Sequence, residues 1–136
     1  MIVIDASATI ALLLNENDVL SAGDRLDRLS EELLVAPSHW AAEVGNSLVV
    51  NVRRGRLDAL DIGEMTERLK RFGIEPDPTP GFEDMVAIAH RALVSGLTYY
   101  DAAYVHTAQT RQAMLLTLDQ KMRNAAAALN IPLFAW

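Results

Sequence analysis

The chain of 136 residues is 51% hydrophobic and 22% charged, with only 7 glycines and 5 prolines; this fits one globular domain spanning residues 1–136 and excludes a disordered, fibrous or low-complexity chain. The absence of cysteine excludes disulfides, zinc–thiolate centres and thiol nucleophiles, so any chemistry rests on oxygen and nitrogen groups. A net charge of −6 argues against a passive nucleic-acid binder, which gains its affinity by neutralising phosphates, but not against an acidic enzyme that works on nucleic acid through bound cations, a local basic strip or a basic partner.

Met1-Ile2-Val3-Ile4 is a short β-branched run stopped by Asp5, the pattern of a buried strand that feeds a helix through a tight turn. Ile10, Leu13 and Leu14 place that helix; Val19, Leu26 and Leu29 mark one face of a second, with Asp24, Arg25, Asp27 and Arg28 opposite. Leu33-Leu34-Val35-Ala36 is a second strand closed by Pro37, and Ser38 is a suitable N-cap for the helix that carries Trp40, Val44, Leu48 and Val52 at every fourth position. Arg53-Arg54-Gly55-Arg56 reads as a solvated turn, with a phosphate contact as the other reading. Leu57 to Phe72 is amphipathic and ends at Gly73, and Ile74 with its neighbours marks a short third strand before the stiff Pro76–Gly81 loop.

The stripe Phe82, Val86, Ala89 and Leu93 predicts a helix capped by Gly96; Thr98 opens another that runs to about Arg111. Ala113–Leu116 is a fourth strand, Asp119–Leu129 a last helix and Pro132–Phe134 a final strand. Apolar strands alternating with helices predict an α/β fold, a parallel sheet covered on both faces, whose strand C-termini gather at one ligand-binding edge. No apolar stretch approaches the roughly 20 residues of a membrane span, and Asp5 stands where a signal peptide carries Lys or Arg; a soluble, unprocessed, cytoplasmic protein is expected.

Four carboxylates fall at or near that edge. Asp5 ends the first strand and Asp119 follows the fourth; Asp101 begins the helix leading into the fourth strand, and Glu43 shares its helix with Asn46 and Ser47. Carboxylates brought together repel by about 4 kcal/mol per close pair at an effective dielectric near 20, so such a cluster either takes up protons or binds a cation. All-oxygen ligands favour Mg²⁺ or Mn²⁺, ions that activate water against a phosphodiester. Each residue also has a structural reading. Thr98 to Asp101 and Thr117 to Gln120 have capping-box spacing, Asp119 suits a helix start, Asp5 can cap the first helix, and Glu43 can be a surface residue. Ser7 and Thr117 read as helix caps or as supports for a metal-bound water. His39, four residues before Glu43, is a surface contact first and a ligand second; His90 and His106 have no motif around them.

Val3-Ile4-Asp5-Ala6-Ser7, Glu43 within Ala41-Ala42-Glu43-Val44-Gly45-Asn46, Thr98-Tyr99-Tyr100-Asp101-Ala102-Ala103-Tyr104, and Leu116-Thr117-Leu118-Asp119 together resemble the PIN-domain ribonucleases, and among them the VapC toxins of toxin–antitoxin pairs. The likeness runs along essentially the whole chain. It implies a PIN-like three-layer fold with a parallel five-stranded sheet flanked by helices on both faces, and Mg²⁺- or Mn²⁺-dependent cleavage of RNA. By the resemblance Asp5, Glu43, Asp101 and Asp119 are the acidic catalytic and metal-binding positions, Asp5 and Asp101 the most direct ligands, and Ser7 and Thr117 the supporting hydroxyls. It further implies a homodimer held inactive by a cognate VapB-type antitoxin, through which alone DNA is bound. Lys121-Met122-Arg123 follows Asp119 where many relatives carry an aromatic residue or a longer basic stretch. Two other readings compete: an inactive PIN-like subunit that binds a protein partner, against which the intact acidic set argues, and a phosphatase with Asp5 as nucleophile, which commonly needs a second Asp where Ser7 stands.

Overall fold

The computed structural model describes residues 1–14 and 23–135. Strand β1 (Ile2–Ile4) is followed by helices α1 (Ala6–Leu13) and α2 (Gly23–Ser30), strand β2 (Leu34–Ala36), helix α3 (Trp40–Arg53), one 3-10 turn (Ala59–Asp61), helix α4 (Ile62–Arg71), strand β3 (Glu75–Pro76), helices α5 (Phe82–Ser95) and α6 (Tyr99–Thr110), strand β4 (Met114–Leu116) and helix α7 (Gln120–Ala128). Up to α7 this is the predicted order of elements. On α2, Leu29 is buried and Asp27 and Arg28 are exposed as the pattern required; Val19 and the side chains of Asp24, Arg25 and Leu26 lie outside the described residues.

The sheet is parallel, in the order β3-β2-β1-β4. Strand β1 is central, with Val3 opposite Val35 on one side and Leu115 on the other. Because successive side chains on a strand point to opposite faces, Val3 and Leu115 pack under α6 and α7 with Tyr104, Val105, Met122 and Ala126. Ile2, Ile4, Leu34 and Leu116 face the other way, against Ala8, Leu12, Leu29 and Phe134. Helix α3 packs on α1 and α4 outside that layer, through Val44, Leu48, Ile10, Leu13 and Met65. These are the two helical layers expected on a parallel sheet.

The structure corrects four details. The fifth strand is reduced to one parallel bridge, Leu133 beside Leu115: Pro132, without an amide proton, precedes it and its carbonyl accepts from Leu115. Ser38 does not cap α3; the N-cap is His39, with no side-chain hydrogen bond to the helix start. The Leu57–Phe72 helix forms only from Ile62, because Asp58 caps and closes a separate capping box over the 3-10 turn. On α5 the stripe Phe82, Val86, Leu93 points to solvent, whereas Ile88 and Ala92 make the contact with Ala102 and Ala103 of α6. That helix is apolar on two sides, and periodicity does not say which side is covered. Gly96 does end α5, at φ +66°, a left-handed geometry that glycine adopts without steric cost.

Candidate active site

The chain reaches the C-terminal edge of the sheet twice side by side, at Asp5 after β1 and at Thr117 after β4, joined by the Asp5 N–H donating to the Leu116 carbonyl at 3.0 Å. Asp5 is only 3% exposed. Its carboxylate caps α1 by accepting from the Ala8 N–H at 2.7 Å, and accepts from the Ser7 hydroxyl at 2.8 and 2.9 Å and from the Thr117 hydroxyl at 2.6 Å. Burial raises its pKa, the three hydrogen bonds oppose this, and the neighbouring Asp119 charge adds to it.

Ser7 and Thr117 therefore do not cap helices; both serve Asp5. Thr117 also accepts from the Asp119 N–H at 3.0 Å, and Ser7 from the Leu118 N–H at 3.3 Å, so the two hydroxyls tie the loop after β4 to Asp5. The capping box read over Thr117 to Gln120 does not form. Asp119 is itself the N-cap of α7, accepting from the Met122 N–H at 2.8 Å.

Glu43 arrives from α3 and Asp101 from α6. Tyr104, one helical turn beyond Asp101 and buried, donates its phenol proton to Glu43 at 2.5 Å. Burial, the Glu43 hydrogen bond and the Glu43 and Asp5 charges hold that phenol far above its ordinary pKa, partly offset by the Ala6 N–H. Asp101 is held by Thr98, whose hydroxyl donates to its carboxylate at 2.8 Å and accepts from its N–H at 3.1 Å. His39 lies between the two acids: its Nε2 is 3.5 Å from Glu43, and its ring meets those of Tyr104 and Tyr100 at centroid distances of 5.1 and 5.3 Å. Burial lowers its pKa, against the Glu43 charge, the Tyr100 backbone and the Asp101 charge.

The four predicted acids thus lie on one edge in an arc. Asp119 acts on Asp5; Asp5 and Glu43 both act on Tyr104; Glu43 and Asp101 both act on His39. Among the described residues no three of His, Asp or Glu close around a common point at metal-binding distance. The donor chemistry nevertheless fits a hard cation: Asp5 is a buried carboxylate with no Lys or Arg beside it among the described residues, and hydroxyl and amide donors orient it without neutralising it. Tyr104 and His39 are the residues of the site that sequence reasoning undervalued. The i,i+3 spacing of Tyr104 to Asp101 puts both on one face of α6, but nothing in the sequence names Glu43 as the partner of its hydroxyl.

Clefts run along the arc. One of about 250 Å³ is lined by His39, Glu43, Asn46 and Tyr100, and from His39 and Tyr100 a larger one of about 430 Å³ extends past Tyr99 to His106. A third, of about 350 Å³, meets the site at Ser7 and Leu118 and also shares Asn46.

The PIN domain family model matches residues 2–128. The chain is 33% identical over 132 residues to a protein named Ribonuclease VapC3 from Pyrobaculum aerophilum, covering 96% of this chain and 98% of that one. It is 30% identical over 129 residues to the VapC ribonuclease Mb0985 of Mycobacterium bovis, covering 94% and 93%. Its fold superposes on the crystal structure of PAE2754 from Pyrobaculum aerophilum with a TM-score of 0.69 and 28% identity, over 91% of this chain and 78% of that one. A family match over nearly the whole chain, an acidic edge built from the end of β1, from α3, from α6 and from the loop after β4, and relatives of this similarity carry one conclusion: the chain belongs to the PIN-domain family, among its VapC-type members.

Proposed function

We propose that the protein is a metal-dependent endoribonuclease, the cytoplasmic toxin of a toxin–antitoxin pair, in which Asp5, Glu43, Asp101 and Asp119 hold Mg²⁺ or Mn²⁺. The observation that carries this is Asp5: a carboxylate buried at the junction of β1 and β4, oriented by Ser7 and Thr117, beside another acid and, among the described residues, without a cationic side chain. Holding such a group ionised is costly unless a cation is drawn to it. The VapC ribonuclease names of its relatives support RNA as the substrate.

A divalent ion held there by Asp5, Glu43, Asp101 and Asp119 would supply a water of lowered pKa and would stabilise negative charge on the phosphodiester. The chain's own residues give the arrangement. Ser7 and Thr117 fix the oxygens of Asp5, Tyr104 fixes Glu43 and Thr98 fixes Asp101, the outer-shell support that oxygen-ligand sites require. Control by a VapB-type antitoxin and assembly as a homodimer belong to the same reading; the exposed apolar residues Phe82, Val86, Leu93 and Val94 on α5 support a protein partner.

The test is incubation of the purified protein with linear and circular single-stranded RNA in Mg²⁺, Mn²⁺ or EDTA, beside Asp5→Asn. Metal-dependent cutting of both RNAs by the wild type alone is expected. Cutting of linear RNA only would refute an endonuclease, and equal cutting by Asp5→Asn would refute the acidic site.

A further inference from the structure

We propose that the groove between the start of α1 and the end of α3 is a docking site for the sugar–phosphate backbone of single-stranded RNA, with Arg54 and Arg56 as its phosphate contacts; this rests on the ribonuclease reading and extends it to how the strand is held. The groove, of about 350 Å³, is lined by Ser7, Asn46, Ser47, Asn51, Arg54 and Arg56 among others. It opens onto the acidic edge, because Ser7 is both its wall and a hydrogen-bond donor to Asp5. A strand lying in it would therefore run into the site.

Two observations point to a ligand with these properties. In a protein of net charge −6, neither Arg54 nor Arg56 is paired with a carboxylate among the described residues. A guanidinium presents its donors in a planar fork that matches phosphate oxygens, and cations next to an acidic centre offset the repulsion that centre exerts on an incoming polyanion. The second observation is Asn51, a buried groove residue whose amide N–H donates to the Ser47 carbonyl at 2.8 Å while its Oδ1 has no partner among the described residues. Buried polar atoms are almost always paired. That acceptor is closed off from solvent, so a hydroxyl donor such as the ribose 2′-OH, the group that distinguishes RNA from DNA, would pair with it once the Asn51 side chain turns towards the groove. The arginine cluster is thus a pair of groove residues, with Arg53 outside the lining.

Binding of a fluorescein-labelled single-stranded RNA dodecamer, measured by anisotropy in EDTA over a series of salt concentrations, tests this without catalysis. Arg54→Gln/Arg56→Gln is expected to weaken binding at least about tenfold. It is also expected to flatten the dependence of log K on log salt by about 1.4, two single-strand phosphate contacts at about 0.7 each. Arg53→Gln, in the same turn, should leave the slope unchanged, and thermal melts of the variants should match the wild type because the side chains are exposed. An unchanged affinity and slope in the double variant, with a wild type that binds and cuts RNA, would overturn the groove assignment alone and leave that surface to a protein partner. A wild type that neither binds nor cuts RNA would overturn both this proposal and the function it rests on.

Discussion

A buried carboxylate with no cation beside it among the described residues makes metal-free stability depend on pH in a definite direction. The Asp5 pKa is raised in the folded protein, chiefly by burial, so between its unfolded value near 3.8 and its folded value the native state binds more protons than the unfolded state. Stability in that window falls as pH rises, because ∂ΔG/∂pH is proportional to the protons bound unfolded minus those bound folded. Asp5→Asn removes this cost and keeps a side chain that caps helices about as well as Asp. In EDTA the variant is therefore expected to gain stability relative to wild type as pH is raised from about 4 towards neutrality, read from denaturant melts at each pH; Mg²⁺ should raise the wild-type melting temperature and leave the variant's unchanged. A wild-type advantage that grows with pH in EDTA would show that the hydrogen bonds from Ser7, Ala8 and Thr117 outweigh burial. Tyr104→Phe tests the support of Glu43: loss of about 1 kcal/mol of stability and of roughly tenfold or more in single-turnover RNA cleavage is expected, and unchanged cleavage would show that the reaction does not depend on this hydrogen bond to Glu43. The four acids were legible because each stands in a motif at a strand end or helix start. Tyr104 was not, since a tyrosine on an alanine-rich helix reads as core and its partner Glu43 is 61 residues away.

Helix α3 carries Glu43, and its position depends on one aromatic residue. Trp40 packs between the core under α6 and α7 and the cluster joining α1, α3 and α4. Its indole N–H donates to Thr9 Oγ1 at 3.0 Å, and Thr9 Oγ1 donates to the Asp5 carbonyl at 2.7 Å. The start of α3 is thus tied to the residue that ends β1. Trp40→Ala should cost about 2–4 kcal/mol, below a fully buried Trp because the ring is partly exposed, and should lower cleavage more than Val49→Ala, a change on the exposed side of the same helix; melts and cleavage rates compared across the two variants decide it. Element order and the parallel sheet were readable because the strands are unbroken apolar runs and the helices end at Gly55, Gly73 and Gly96, all at positive φ. The boundaries were less so: Ser38 has the chemistry of a cap without its position, and Asp58 and Asp61 form a capping box that delays α4. Which side of α5 is buried depends on α6, which no local pattern contains.

At the scale of the whole molecule, an acidic edge and an exposed apolar helix stand on one chain. The sheet edge is acidic, whereas α5 presents Phe82, Leu93 and Val94 to solvent at 85%, 82% and 89% exposure, large apolar side chains available to a partner. Its inner face is already used against α6 through Ile88 and Ala92, so the outer face adds nothing to the fold of one chain. Under the proposed homodimer, that outer face meets its symmetry mate, since a twofold interface pairs the same patch on both copies. Phe82→Glu/Leu93→Glu should leave the melting free energy within about 0.5 kcal/mol, as expected for exposed positions, yet convert a dimer to a monomer in sedimentation velocity, because two buried unpaired carboxylates per protomer cost far more than the lost apolar contact. A wild type already monomeric at micromolar concentration would refute the homodimer; a dimer that survives both substitutions would move the interface away from α5.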